Sequence, residues 1–168
     1  MVDPLTGLYN RRAGEQRLAA EVARCSRKGD ALTVLLLDLN KFKVINNTLG
    51  HPAGDLVLKQ FGAALQKAIR GSDIAVRTGG DEFVLVLPDC RANQVRHVLG
   101  RLVGFSVQWQ GQRTMVTFSA GWKQYEPGDG PMELLKAADE ALHVMMRADM
   151  IDDGFSSTIR FANGTFRR

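Results

Sequence analysis

Asp38 closes the run Leu32-Thr33-Val34-Leu35-Leu36-Leu37, a segment too apolar to hold a charge before its end. An aspartate at that point places its carboxylate at the edge of a sheet, within reach of a ligand, although a helix cap or a solvated loop would also use one. Further on, Gly79-Gly80-Asp81-Glu82 sets two adjacent acids behind two glycines, between apolar strands. The glycines permit backbone conformations and close approaches that a side chain would block. Adjacent carboxylates repel unless a cation or a proton lies between them. If this turn pairs beside the strand ending at Asp38, the spacing of about 4.8 Å between neighbouring strands brings three carboxylates together. Such hard oxygen donors suit Mg²⁺ or Mn²⁺ carrying nucleotide phosphates. On residue types alone a type I′ hairpin turn with solvated acids stays open as the alternative.

The elements that would position these groups alternate between helix and strand. The pattern predicts a helix over Arg11 to Lys28, stopped by Gly29-Asp30, then the buried strand Leu32 to Leu37. A short helical segment over Lys41 to Asn46 leads to Gly50-His51-Pro52, where Pro52 starts a second helix reaching about Arg70. Ile74 to Arg77 and Phe83 to Leu87 read as a hairpin around Thr78 to Asp81. A helix over Asn93 to Val103 follows. A second hairpin, Phe105 to Trp109 with Thr114 to Trp122, turns near Gly111. Pro127 to Gly130 reads as a loop. Met132 to Arg147 is an amphipathic helix with Leu134, Leu135, Ala138, Leu142 and Met145 inward. Ile159 to Phe161 is a candidate edge strand, and Gly164 to Arg168 is expected to fray. The expected fold class is α/β (α+β): a central mixed, mainly antiparallel sheet flanked by helices, with residues 1–168 as one domain.

Composition narrows the function. The chain has 168 residues, 45% hydrophobic and 24% charged, enough for a core without staples. Cys25 and Cys90 are too few for a disulfide framework and lack metal-binding spacing, which fits a reducing cytoplasm. No run spans a membrane and no signal peptide precedes the first helix, so no membrane contact by this domain is expected. The net charge of +4 is scattered without interleaved aromatics, and nucleic acid is not an expected partner. His51, His97 and His143 are not in metal-ligand spacing, and the last two read as helix-surface or packing residues. Ser119 has no partnered base and reads as structural.

Arg77-Thr78-Gly79-Gly80-Asp81-Glu82-Phe83 resembles the signature of GGDEF-domain diguanylate cyclases. Other stretches match the family in the same order: Asp3 to Arg12, Leu37 to Asn47 with Gly50 to Asp55, Ser119-Ala120-Gly121, and Ala138 to Leu142. The similarity runs from Asp3 to about Arg147. It implies a fold like the palm of nucleotide polymerases and nucleotide cyclases, and an enzyme that condenses two GTP into cyclic di-GMP and two pyrophosphates. By motif position, Asp38, the Leu39 carbonyl, Asp81 and Glu82 would hold two Mg²⁺ or Mn²⁺ ions per GTP. Asp81 would also help deprotonate the attacking 3′-hydroxyl. Asn46 and Asp55 match the guanine readers, Lys41, Phe42 and Lys43 would offer backbone amides to phosphates, and Gly79 and Gly80 would admit the substrate. Arg70-Gly71-Ser72-Asp73 matches the RxxD product-inhibition site, to which Arg77 would contribute; read alone, it is a solvated helix end. One domain holds one GTP, so the active form would be a homodimer. A piece beginning at such a motif is expected to be cut from a longer protein with an N-terminal sensor or other regulatory domain, whose other segments could tether it to a membrane.

Departures from the family pattern bear on turnover. Asn40 and Asn47 stand where aspartates are usual, and Met146 and Met150 occupy the places of a lysine and an arginine aimed at phosphates. Arg147 is adjacent to Met146 but turned by about 100° around the helix. Weakened GTP affinity is the expectation. A catalytically weak or silent module that binds GTP or cyclic di-GMP is the alternative.

Overall fold

Leu32–Leu39 (β1) is the inner strand around which the chain is built, and its burial on both faces follows from its unbroken apolar sequence. The structure, a computed structural model, describes residues 1–151, 158–161 and 164–167, with side chains described through Arg147. Arg11–Lys28 (α1) precedes β1, and Phe42–Leu49 (α2) and His51–Ala68 (α3) follow it. Ile74–Gly79 (β2) and Glu82–Pro88 (β3) form the hairpin that carries the glycine pair. A 3-10 turn at Ala92–Gln94 then leads into Val95–Leu102 (α4), so the helix expected from Asn93 opens tighter than an α-helix.

Phe118–Gln124 (β6) completes a four-stranded sheet in the order β2-β3-β1-β6, antiparallel at each pairing. Among the described residues the one parallel pairing is a single bridge from Tyr9 to Val76. The second hairpin differs from expectation. Ser106–Trp109 (β4) pairs with Gln112–Met115 (β5) alone, and β6 is a separate strand. The chain breaks at Val116-Thr117, where the Val116 N–H bonds to Phe105 and the Thr117 carbonyl accepts from Asn40, turning Phe118 onward into the central sheet. Pro131–Ile151 (α5) follows the Pro127 to Gly130 loop. In the tail, Thr158–Phe161 (β7) pairs with Gly164–Arg167 (β8) in its own hairpin; it is not an edge strand of the central sheet, and residues 164–167 are paired where fraying was expected.

Strand alternation sorts side chains onto two faces. Leu35, Leu37, Phe83 and Leu85 pack beneath α3 and α4, where Phe61 meets Phe83 edge-on at 5.1 Å. Val34, Leu36, Val84 and Val86 pack beneath α1 and α5. Asp38 and Glu82 continue that second series, so both acids lie at one end of the α1/α5 face, opposite each other across the strand pair. Helix α5 lies close on the sheet because Gly121 has no Cβ; one there would overlap the Leu142 nitrogen and the Ala138 carbonyl.

Candidate active site

The Gly80-Asp81 turn joins β2 to β3, with Gly79 paired to Glu82 and a bulge at Thr78. Gly80 has φ 51 whereas Asp81 does not have a positive φ. A type I′ turn requires both, so this two-residue hairpin turn is not of type I′. Phe83 anchors it in the aromatic core, and the Leu39 amide donates to the Asp81 carbonyl at 3.2 Å, tying the turn to the end of β1.

Asp38 and Asp81 come within hydrogen-bonding reach, as the strand-spacing argument required. Burial, then the Asp81 carboxylate and the hydrogen bond with it, then Glu82, push the Asp38 carboxyl from 3.8 up to about 7. Without a cation, then, a proton stands between the two acids near neutrality. The third carboxylate is less close than expected. Glu82 acts on Asp38 through space, but its Oε1 accepts from the Thr78 hydroxyl at 3.1 Å. Among the described residues no three His, Cys, Asp or Glu side chains are gathered tightly enough to cage a metal ion. The Asp38–Asp81 pair nevertheless fits a hard divalent cation: two oxygen donors whose mutual repulsion the ion would relieve in place of the proton.

The remaining candidate residues fall in two regions. Lys41 adopts a left-handed φ of 55 and opens α2 with no side-chain cap, so no side chain takes up the amides at Phe42 and Lys43. Asn46 reaches back over the start of α3, where a Cβ on Gly54 would overlap its Oδ1. Asp55, the residue after Gly54, is exposed. Arg70 and Asp73 stand ahead of β2, away from the turn. They hold each other: Arg70 donates to Asp73 from its backbone N–H at 2.8 Å, from Nε at 3.2 Å and from Nη2 at 2.9 Å, and also to the Pro88 carbonyl. Asp73 is 2% exposed and Arg70 52%, so Arg70 is the accessible member.

Arg77 does not join them. Its Nε and Nη2 donate to the Gly80 carbonyl, and its Nη1 pairs with Asp3 at 3.0 Å. Asp3 was legible only as part of a turn-rich segment, although the Asp3-x-x-Thr6 spacing signals a side chain bonding ahead: its Oδ2 accepts from the Thr6 N–H and hydroxyl. Asn40, one of the departures, uses both ends of its amide, donating to Thr117 and accepting from the buried Ser119 hydroxyl at 2.8 Å. Met146 packs against the α1/α5 core, whereas Met145 is half-buried outside that cluster. The side chain of Met150 lies outside the described residues. No helix among the described residues is long and apolar enough to cross a membrane.

The family description "Diguanylate cyclase, GGDEF domain" matches residues 1–150. The chain is 40% identical over 152 residues to the diguanylate cyclase DgcP of Pseudomonas aeruginosa, covering 88% of this chain and 23% of that protein. It is 39% identical over 152 residues to the response regulator PleD of Caulobacter vibrioides, covering 85% of this chain and 33% of that one. It therefore spans a quarter to a third of the length of these relatives. Among solved structures it resembles diguanylate cyclase SiaD of P. aeruginosa, crystallised with its activator SiaC, at a TM-score of 0.84 and 35% identity over 88% of this chain and 58% of that one. The GGDEF domain of Caulobacter crescentus DgcB, in complex with c-di-GMP, matches at a TM-score of 0.80 and 25% identity over 88% of each chain. The chain belongs to the GGDEF family of diguanylate cyclase domains.

Proposed function

We propose that this domain condenses two GTP molecules into cyclic di-GMP and two pyrophosphates. The observation that carries the reading is the Asp38–Asp81 pair, two carboxylates within hydrogen-bonding reach beside the exposed Gly79-Gly80 turn. Asp38, Asp81, Glu82 and the Leu39 carbonyl would hold two Mg²⁺ or Mn²⁺ ions, which when bound stabilise the 3′-alkoxide and neutralise the leaving pyrophosphate. Asp81 accepts the 3′-hydroxyl proton. The 3′-oxygen then forms a bond to the α-phosphorus of the opposing GTP as the bond to pyrophosphate breaks. Asn46 and Asp55 orient guanine, whose N1–H and amino group a carboxylate accepts and adenine does not match. The Phe42 and Lys43 amides face phosphate oxygens. Two domains must meet face to face, so the active form is a two-fold homodimer, brought together by a regulatory domain elsewhere in a longer chain.

Cyclic di-GMP feeds back through Arg70. Asp73 acts as the buried anchor that fixes the Arg70 guanidinium, and Arg77 is left out of this role because Asp3 and Gly80 occupy it. One observation favours the silent-module alternative: Met146 is a partly buried apolar side chain packed against the core, which offers phosphates no charge. The deciding test is incubation with GTP and Mg²⁺ or Mn²⁺ at high protein concentration, with chromatographic analysis of nucleotides. Cyclic di-GMP formed by the wild type and not by Asp81→Ala supports the enzyme. GTP binding without product, even when dimerisation is forced, establishes the silent module. Arg70→Ala should relieve inhibition by added cyclic di-GMP, and unchanged inhibition would refute that site.

A further inference from the structure

The peptide between Leu39 and Asn40 is tied on both sides of β1. The Leu39 N–H donates to the Asp81 carbonyl of the glycine turn, and the Asn40 N–H donates to the Thr117 carbonyl at 2.9 Å, just ahead of β6. A trans peptide is planar, with its carbonyl opposite its N–H. With the Asn40 N–H drawn toward β6, the Leu39 carbonyl therefore points back to the side of Asp81.

The Asn40 side chain repeats that grip. Its Nδ2 donates to the Thr117 hydroxyl at 3.1 Å, and its Oδ1 accepts from the Ser119 hydroxyl at 2.8 Å. Ser119 is 1% exposed and stands opposite Asp38 in the strand register, so the second bond ties Asn40 to the buried sheet at the level of the acid. Beyond Asn40 the chain turns through Lys41, whose left-handed φ of 55 is costly for a residue with a Cβ. Such a conformation persists only where its surroundings over-determine it. Asn40 fixes it from one side, and from the other the Lys41 carbonyl accepts from the Ile45 N–H of α2.

We propose that Asn40 is a positioning residue of the cation site, holding the Leu39 carbonyl toward Asp81 so that it joins the carboxylates around an ion. The proposal rests on the reading of Asp38, Asp81 and the Leu39 carbonyl as cation ligands. Asn40 acts through the peptide plane it shares with Leu39, and touches neither ion nor nucleotide.

The test is binding of Mn²⁺ alone, read from the electron paramagnetic resonance of the free ion, beside urea denaturation of each variant. Asn40→Ala should weaken Mn²⁺ binding roughly 10–100-fold, the scale for removing a group that orients a metal ligand. Thr117→Val removes one of the two side-chain bonds and should weaken it by less. The Asn40→Ala/Thr117→Val double variant should bind no worse than Asn40→Ala, because both act through one contact. Asn40→Asp keeps both bonds, since the Thr117 hydroxyl can donate as well as accept, and should bind at least as tightly as wild type. Thr33→Val is the control. Its buried hydroxyl donates to the Cys90 carbonyl at the far end of β1, so its loss should lower stability and leave Mn²⁺ binding unchanged. Asn40→Ala with wild-type Mn²⁺ affinity overturns the proposal. So does an equal loss in Thr33→Val, a loss that aspartate does not restore, or a double variant worse than Asn40→Ala. Wild-type protein that binds no Mn²⁺ would instead sink the cation-site reading itself, and the proposal with it.

Discussion

Arg77 holds the carbonyl of Gly80 with two of its nitrogens, at 3.0 and 2.9 Å, while its third grips Asp3 across 74 residues of sequence. The glycine turn is thus braced from the N-terminal segment, whose backbone also joins β2 through the Tyr9 carbonyl and the Arg77 N–H.

Arg77→Ala should therefore cost both stability and turnover. Both partners are about one-sixth exposed, and leaving Asp3 unpaired costs about 1–3 kcal/mol. Loss of the Gly80 clamp should lower cyclic di-GMP formation by roughly 10–100-fold, the scale of a displacement near 1 Å. Arg77→Lys keeps the charge but not the fork and should fall between. Burial raises the Asp3 carboxyl, but hydrogen bonds from the Thr6 hydroxyl, the Thr6 N–H and Arg77 overcome this and hold it below 3.8. A depressed folded value means that the pair's stabilisation is complete above pH 3.8 and is lost as pH falls through the folded value. Urea titrations of wild type and Arg77→Ala should converge in that acid range; a gap that persists there contradicts the assignment.

Those two residues also mark where sequence reading stopped. Leu32–Leu39 and the Asp81 turn were legible because burial and turn chemistry are local properties written in apolar runs and glycines. Asp3 could be read as a turn residue, but nothing local names its partner at 77. The separation of β5 from β6 was hidden for a similar reason: Val116-Thr117 contains neither Gly nor Pro, and the break is made by distant partners, Phe105 and Asn40.

Gly54 gives a test of the guanine site that separates binding from folding. Alanine there removes the room that Asn46 occupies and comes to 3.2 Å from the Phe42 ring, a crowding set against the gain of about 0.5–1 kcal/mol that a better helix former brings to α3 relative to glycine. Gly54→Ala should therefore leave Tm within a few degrees of wild type while raising KM for GTP about 5–30-fold, the loss of one or two hydrogen bonds. Discrimination against ATP should narrow in the same steady-state assays. An unchanged KM would remove Asn46 from the site.

Asp38 should make the domain's stability depend on pH and on cations together. Its folded value, about 7, lies above the unfolded 3.8, so its contribution is full below pH 3.8 and is lost as pH rises through 7. Metal-free protein should become less stable across that interval, and Mg²⁺ or Mn²⁺ should restore more stability at pH 8 than at pH 5.5. Asp38→Asn should raise the metal-free Tm at pH 8 and abolish most of the cation response, with a loss of at least 10²-fold in turnover on the order expected for removing a transition-state clamp. Scanning fluorimetry with and without Mn²⁺ at the two pH values measures this, and an equal cation response at both would contradict the shared-proton account.

Gly121→Ala tests whether the seating of α5 sets the active end of the sheet. The added methyl meets backbone on the helix, the Leu142 nitrogen and the Ala138 carbonyl, not the movable end of a side chain. Relief requires the whole helix to lift or slide, so the cost should reach the upper part of the 1–3 kcal/mol range for overpacking. Lifting α5 also withdraws the end of the helix from the Asp38 end of the sheet, so affinity for a triphosphate should fall further than affinity for guanosine. Urea denaturation gives the first quantity and paired binding titrations the second. A stability loss with unaltered triphosphate affinity would mean that α5 covers the sheet without shaping the site.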